Sequence, residues 1–497
     1  MAPMSPGSHR GPELGPDQSG GLARGVLGSA PVLGQAVANV GPSAVTALLM
    51  AVLFGLVGPG AWASWLLTGI SALLVGYCIA VLARRFTTAG SLYSYVGEAL
   101  GPHAGFVAGA AVLFLYVLAV PALMVAFAIF AGDLLTQLGT SVHGEWASLG
   151  LYLAPLLPAG VLAYRDIRVS TTALLVLEIV SMGVITVLLV VVMVRHGGVF
   201  DHSQLTLAHS SMTDILKGVT IGFFGLAGFE SAANLGLEAR NPRRAIPRVL
   251  LLSVVVIGVF YVFNAYVQAL GFTTAGASTL AAANNPLAEL ADNYGLHPLA
   301  YAVNIGLAIS AFAAVTALLN SSARFLYTMA REGRLPGALG RAHPRHRTPH
   351  VAVAALVGVL VGGAAVMAFA AADAHTLIAW LGTLGGYGIL LPYFLVAVGM
   401  PVVMARDGKL RVVHVMAGAL AAVICLAVFV DSAYAADTMP YTAFPYVFVA
   451  YALVCLVASI LTTRARADGF RPGGPVGSPS PPSMPHSSPG REEHLSA

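Results

Sequence analysis

Residues 222–230 read Gly222-Phe223-Phe224-Gly225-Leu226-Ala227-Gly228-Phe229-Glu230, in the middle of an apolar segment, 216–237. Three glycines and a glutamate make a poor helix interior, because glycine costs backbone entropy and a carboxylate is expensive in hydrocarbon. Two readings are open. Small residues let neighbouring helices pack closely. Alternatively the helix unwinds here. That frees the carbonyls of Phe224, Gly225, Leu226 and Ala227 to meet an amine, under the rings of Phe223, Phe224 and Phe229.

The hydrocarbon setting follows from the charge. The chain has 25 Lys+Arg and 21 Asp+Glu in 497 residues, 9% charged against 57% hydrophobic. An ordinary soluble domain is about 25% charged. The balance excludes a disordered or collagen-like chain and argues against a soluble enzyme. Twelve apolar segments stand out: 33–57, 62–84, 103–131, 146–164, 170–194, 216–237, 249–271, 298–329, 350–372, 376–404, 411–430 and 442–463. Each is long enough to cross a bilayer, and none alternates as a barrel strand does. Residues 1–30 and 466–497 are rich in Pro, Gly and Ser and read as disordered tails around a membrane domain, 31–465. Cys78, Cys425 and Cys455 lie in apolar runs, a pattern of buried filler and not of a disulfide framework.

The basic residues orient the spans. With both termini cytoplasmic, 23 of the 25 Lys and Arg fall in inside segments, and only Arg195 and Lys217 fall outside. An odd number of spans would destroy this alternation. The reading is an all-α polytopic protein of the cytoplasmic membrane with twelve helices.

The first span holds a second interruption, Asn39-Val40-Gly41-Pro42-Ser43-Ala44. Pro42 lacks an amide proton and clashes with the preceding turn. A simple proline kink is one reading. A broken helix is the other, with the amides of Ser43 and Ala44 and a positive dipole end turned toward a carboxylate. The first and sixth spans hold equivalent places in two five-span halves. Paired interruptions of this kind point to an inverted-repeat transporter and its binding site.

Three stretches resemble amino acid permeases of the amino acid–polyamine–organocation superfamily. They are Gly225-Leu226-Ala227-Gly228-Phe229-Glu230, continuing to Glu238-Ala239-Arg240-Asn241-Pro242-Arg243-Arg244-Ala245-Ile246-Pro247; Asn320 to Pro336; and Ala89-Gly90-Ser91-Leu92-Tyr93-Ser94-Tyr95. The resemblance implies a LeuT-type fold working by alternating access. Its two inverted repeats of five helices would span about 33–194 and 216–404, with two further helices over 411–463. It places a substrate carboxylate at Gly41, Pro42, Ser43 and Ala44, and the amine at Phe223, Phe224, Gly225, Leu226, Ala227, Gly228 and Phe229. Many members carry Gly-Ser-Gly or Gly-x-Gly where this chain has Gly41-Pro42-Ser43. The proline removes one donor from the carboxylate cradle and makes an amine without a carboxylate conceivable.

Glu178 and Glu230 are the carboxylates well inside the segments. Glu178 reads either as a proton carrier linked to closing the first helix on the fifth, or as a structural carboxylate. Glu230 reads as a tie for the unwound sixth helix in preference to a substrate contact. Glu238 and the arginines near Asn241 read as a gate or a topology anchor. All 14 histidines lie in loops, tails or span ends, and no metal, P-loop or hydrolase motif occurs. The expected partners are a small amino acid or amine, protons or a counter-substrate, and lipid. No cofactor and no nucleic acid is expected. A polyamine- or ethanolamine-type carrier, an exporter of a specialised amino-acid metabolite and a non-transporting sensor are the alternatives.

Overall fold

The computed structural model describes residues 21–88, 90–140, 143–165, 167–207, 210–273, 280–370, 372–434 and 438–469. Most of both expected tails lies outside the described residues, as do Ala89, Asp166 and Asp437. The chain is helical. α1 (Ser29–Val40) and α2 (Pro42–Val57) are followed by a 3-10 turn, Gly58–Gly60, and α3 (Ala61–Arg85). The short α4 (Ser91–Leu100) leads to α5 (Pro102–Gln137), α6 (Glu145–Tyr164) and α7 (Ile167–His196). After one turn, α8 (His202–Leu205), α9 (Met212–Leu226) gives way to a 3-10 segment, Phe229–Leu235. Then come α10 (Pro242–Phe272), α11 (Pro286–Asn293), α12 (His297–Arg331), α13 (His350–Phe369), α14 (Ala374–Arg406), α15 (Val412–Tyr434) and α16 (Phe444–Gly469).

Among the described residues, eleven stretches are long and apolar enough to cross a membrane. The first, Ser29–Arg85, contains both the first and the second expected segments, joined through Gly58–Gly60. α5 runs past its expected end to Gln137, which brings Asp133 into the helix.

α12 is the central helix: 78% of its most apolar window is buried, against 22% for the last stretch, Tyr441–Leu461. Glycines allow the close approaches around it. A Cβ on Gly388 of α14 would sit 2.7 Å from the Ala111 carbonyl oxygen of α5.

Contacts between helix ends define two faces. On one, Arg85 pairs with Asp407 at 3.1 Å, Arg406 donates to the Glu98 carbonyl at 3.4 Å and Thr348 to that of Tyr164 at 2.7 Å. We call this the basic face. On the opposite face, Arg195 donates to the Tyr294 carbonyl at 2.7 Å, and Asn285 to Asp133 at 2.8 Å.

The composition of residues 1–30 reads as a disordered tail, but its described end is ordered. Gly25 and Leu27 donate to the carbonyls of Leu237 and Glu238 at 3.2 and 2.9 Å, and Arg240 donates back to Leu27 at 2.7 Å. Leu22 and Leu27 are buried, and α1 begins at Ser29. Two apolar anchors and three backbone hydrogen bonds outweigh the chain entropy of a short glycine-rich stretch.

Candidate functional site

The first interruption is a true break. Gly41 adopts φ 65°, ψ 56°, the left-handed region that ends α1, and Pro42 starts α2. A Cβ on Gly41 would lie 2.9 Å from that of Ala314, so α12 passes directly behind it. The Ala44 amide donates to Ser310 Oγ of α12 at 3.4 Å. The Ser310 hydroxyl in turn faces both Glu178 oxygens, at 3.3 and 3.4 Å. One serine thus connects the start of α2 to the carboxylate of α7. Ser43 Oγ is fully buried and makes no hydrogen bond among the described residues.

The second interruption lies between Leu226 and Phe229, where Gly228 has φ 113°. Two of the four carbonyls expected to be freed are engaged. Phe224 accepts from the Ala227 amide at 3.2 Å, and Gly225 from the Tyr261 hydroxyl at 2.9 Å. Glu230 turns into the break: it accepts from the Gly228 amide at 2.9 Å, from Tyr393 at 2.6 Å and from Tyr116 at 3.5 Å. Phe223 and Phe229 pack on Tyr393, with ring centroids at 6.0 and 5.8 Å. Phe224 lies against Gly386, where a Cβ would come within 2.4 Å of its ring.

The two breaks meet. The Asn39 side chain, two residues before Gly41, donates through Nδ2 to the Gly228 carbonyl at 3.2 Å. Ser321 donates to Asn39 Oδ1 at 3.2 Å, and Gln35 donates to Ser321 at 3.2 Å and to the Ala317 carbonyl at 2.8 Å. A Cβ on Gly228 would lie 2.6 Å from Asn39 Nδ2 and 3.0 Å from its carbonyl oxygen. Gly228→Ala is therefore expected to lose about 1–3 kcal/mol from backbone strain and the broken Asn39 contact. A lower melting temperature of the purified protein would register the loss.

Toward the basic face lies a buried ion pair, made by the Glu238 that reads in the sequence as part of a gate or topology anchor. Arg324 of α12 and Glu238 are 1% and 0% exposed. They join through Nη2–Oε1 at 2.8 Å and Nε–Oε2 at 3.0 Å, and Arg324 Nη1 donates to the Asn320 carbonyl at 2.9 Å. Glu238 also carries the carbonyl that receives Leu27, so the pair underpins the N-terminal strap.

Sequence reasoning missed Asn39, Tyr116, Ser310, Arg324 and Tyr393. The loop 343–349, which carries His343 and His346, folds around Tyr164, with the two histidine ring centroids 4.7 Å apart. His343 Nδ1 accepts the amides of Arg345 and His346 at 3.2 and 3.1 Å. Among the described residues no group of three His, Cys, Asp or Glu is arranged to hold a metal ion.

Residues 28–461 match the amino acid permease family. The chain is 25% identical over 326 residues to a branched-chain amino acid permease of Bacillus subtilis, covering 61% of this chain and 68% of that protein. It is 28% identical over 381 residues to an uncharacterized transporter of Mycobacterium tuberculosis, covering 75% and 80%. It is 25% identical over 315 residues to a low-affinity putrescine importer of Escherichia coli, covering 60% and 64%. The chain belongs to the amino acid permease family of the amino acid–polyamine–organocation superfamily, and is a membrane transporter of amino acids or amines, not an enzyme.

Proposed function

We propose that the protein is a secondary active transporter that carries an amino acid by alternating access and couples the movement to protons through Glu178. One observation carries the reading: the two helix breaks meet at the Asn39–Gly228 hydrogen bond, while Ser310 ties the first break to Glu178. The substrate carboxylate would sit at the start of α2, against Ser43 and Ala44, and its amine at the end of α9. Dividing Ser29–Arg85 at Gly58–Gly60 gives twelve spans. The basic face is then cytoplasmic, with both termini on that side. The inverted repeats run over about 33–194 and 216–404.

A second reading is an amine carrier. Pro42 removes one amide from the carboxylate cradle, and one relative bears the name of a putrescine importer. A thermal-shift screen of leucine, putrescine and ethanolamine separates the two, since a ligand stabilises the state it binds. Stabilisation by leucine supports the first reading. Stabilisation by amines alone supports the second.

Glu230 has a structural part in this scheme. Its oxygens meet the Gly228 amide and two tyrosines, which leaves the substrate amine to the end of α9. Glu230→Gln keeps the volume and loses a charge-assisted acceptor, so stability should fall by about 1–2 kcal/mol. Substrate affinity of the protein that folds should stay unchanged in a binding titration. Weakened affinity with full stability would instead make Glu230 a substrate ligand.

A further inference from the structure

Three polar residues on α10 take no part in the site above beyond a single hydrogen bond. Tyr261, Asn264 and Gln268 are each fully buried. At spacings of three and four they line one face of the helix. Gly271 continues that face: a Cβ there would lie 2.7 Å from Leu290 of α11 and 2.8 Å from Val192 of α7. The column therefore looks into the seam between α10, α7 and α11.

The column is poorly satisfied by the protein. Asn264 donates to the Phe260 carbonyl at 2.8 Å, but its Oδ1 has no partner among the described residues. Gln268 has none there for either Oε1 or Nε2. A polar atom left so inside a bundle costs about 1–3 kcal/mol. Three such atoms on adjoining turns are a poor way to fill a helix seam and a good way to line a wet one.

The column also points somewhere. Tyr261, the titratable residue at its inner end, donates to the Gly225 carbonyl at 2.9 Å and packs on Trp65 with ring centroids 4.2 Å apart. Ser310 faces Glu178 from α12, with the Ala44 amide of α2 behind it. On α7, Glu178 and Val192 are 14 residues apart, about four turns, so they share the face that Gly271 touches. At the mouth, α7 brings Arg195 and His196, and α11 brings Glu289 and Asp292. In the other direction Leu174, one turn from Glu178, forms an apolar side-chain layer with Ala38, Ala313 and Ala317, and Leu177 packs on it. Gln35 reaches the Ala317 carbonyl at the edge of that layer at 2.8 Å, and beyond it Asn320 donates to Ser170 at 2.8 Å.

We infer that the Tyr261–Asn264–Gln268 column is the route by which water and protons from the face opposite the basic loops reach Glu178, meeting the substrate site where Tyr261 holds the Gly225 carbonyl. The step is a plain proton transfer: a hydronium at the mouth gives up its proton along the column, and the Glu178 carboxylate becomes a carboxylic acid. The inference rests on the reading of Glu178 as the proton carrier.

The test uses the full-length protein in proteoliposomes. In the variant combining Asn264→Leu with Gln268→Leu, pH-driven uptake should slow on the order of tenfold. Counterflow exchange of the same substrate should be unchanged. Wild-type pH-driven uptake in this variant, with Glu178→Gln inactive, overturns the route alone. Wild-type pH-driven uptake in Glu178→Gln overturns the underlying reading. If the double leucine variant does not fold, Gln268→Cys in a background lacking the three native cysteines serves instead. A membrane-impermeant thiol reagent applied from the outer face should label position 268 and not a cysteine replacing the lipid-facing Val259. No labelling at 268 overturns the route.

Discussion

Glu178→Gln is expected to bring pH-driven accumulation down to the level of empty liposomes while counterflow exchange persists. Glutamine keeps the size of the side chain and can still accept from Ser310, whose hydroxyl lies 3.3 Å from the carboxylate. It cannot take up or release a proton. Exchange needs only the rocking of the loaded carrier, so it survives if the side chain couples and does not bind. Paired uptake and counterflow assays on the same liposomes give the answer. Loss of both activities would make Glu178 a structural carboxylate. Retention of pH-driven uptake would remove it from the coupling path.

Arg324→Ala is expected to be the most destabilising single change. Glu238 would keep its charge at 0% exposure and lose its bidentate partner. Breaking one side of a buried pair costs about 3–5 kcal/mol, because an uncompensated charge remains. The strap would loosen as well, since Leu27 hangs on the Glu238 backbone. Thermal unfolding in detergent should show a large drop. Combining Arg324→Met with Glu238→Leu should recover much of it, because no lone charge is then left. If the double variant is as unstable as the sum of the single ones, the ion pair is not the cause.

The features that were legible in the sequence are those that punctuate it. Gly41-Pro42 and the glycines at 225 and 228 interrupt apolar segments, and at both places the helix is broken. Glu178 and Glu230 stood out as charges in hydrocarbon. Arg324 did not, because a basic residue seven positions before the end of α12 looks like a topology anchor. Its burial depends on Glu238, which is 86 residues away in the chain. Asn39, Ser310, Tyr116 and Tyr393 are neutral, so nothing in a hydropathy pattern marks them. Only the packing of α1, α5, α12 and α14 brings them to the breaks. The strap at 25–27 was hidden for the opposite reason: its composition is that of a linker, and its order comes from a partner segment at 237–240.

The central claim is proton-coupled transport of an amino acid. Its most direct test is the uptake of radiolabelled leucine into proteoliposomes of the purified protein under an imposed inward proton gradient. Accumulation above the external concentration, collapsing on addition of a protonophore, is the predicted result. Binding or simple equilibration of leucine that ignores the gradient would contradict it.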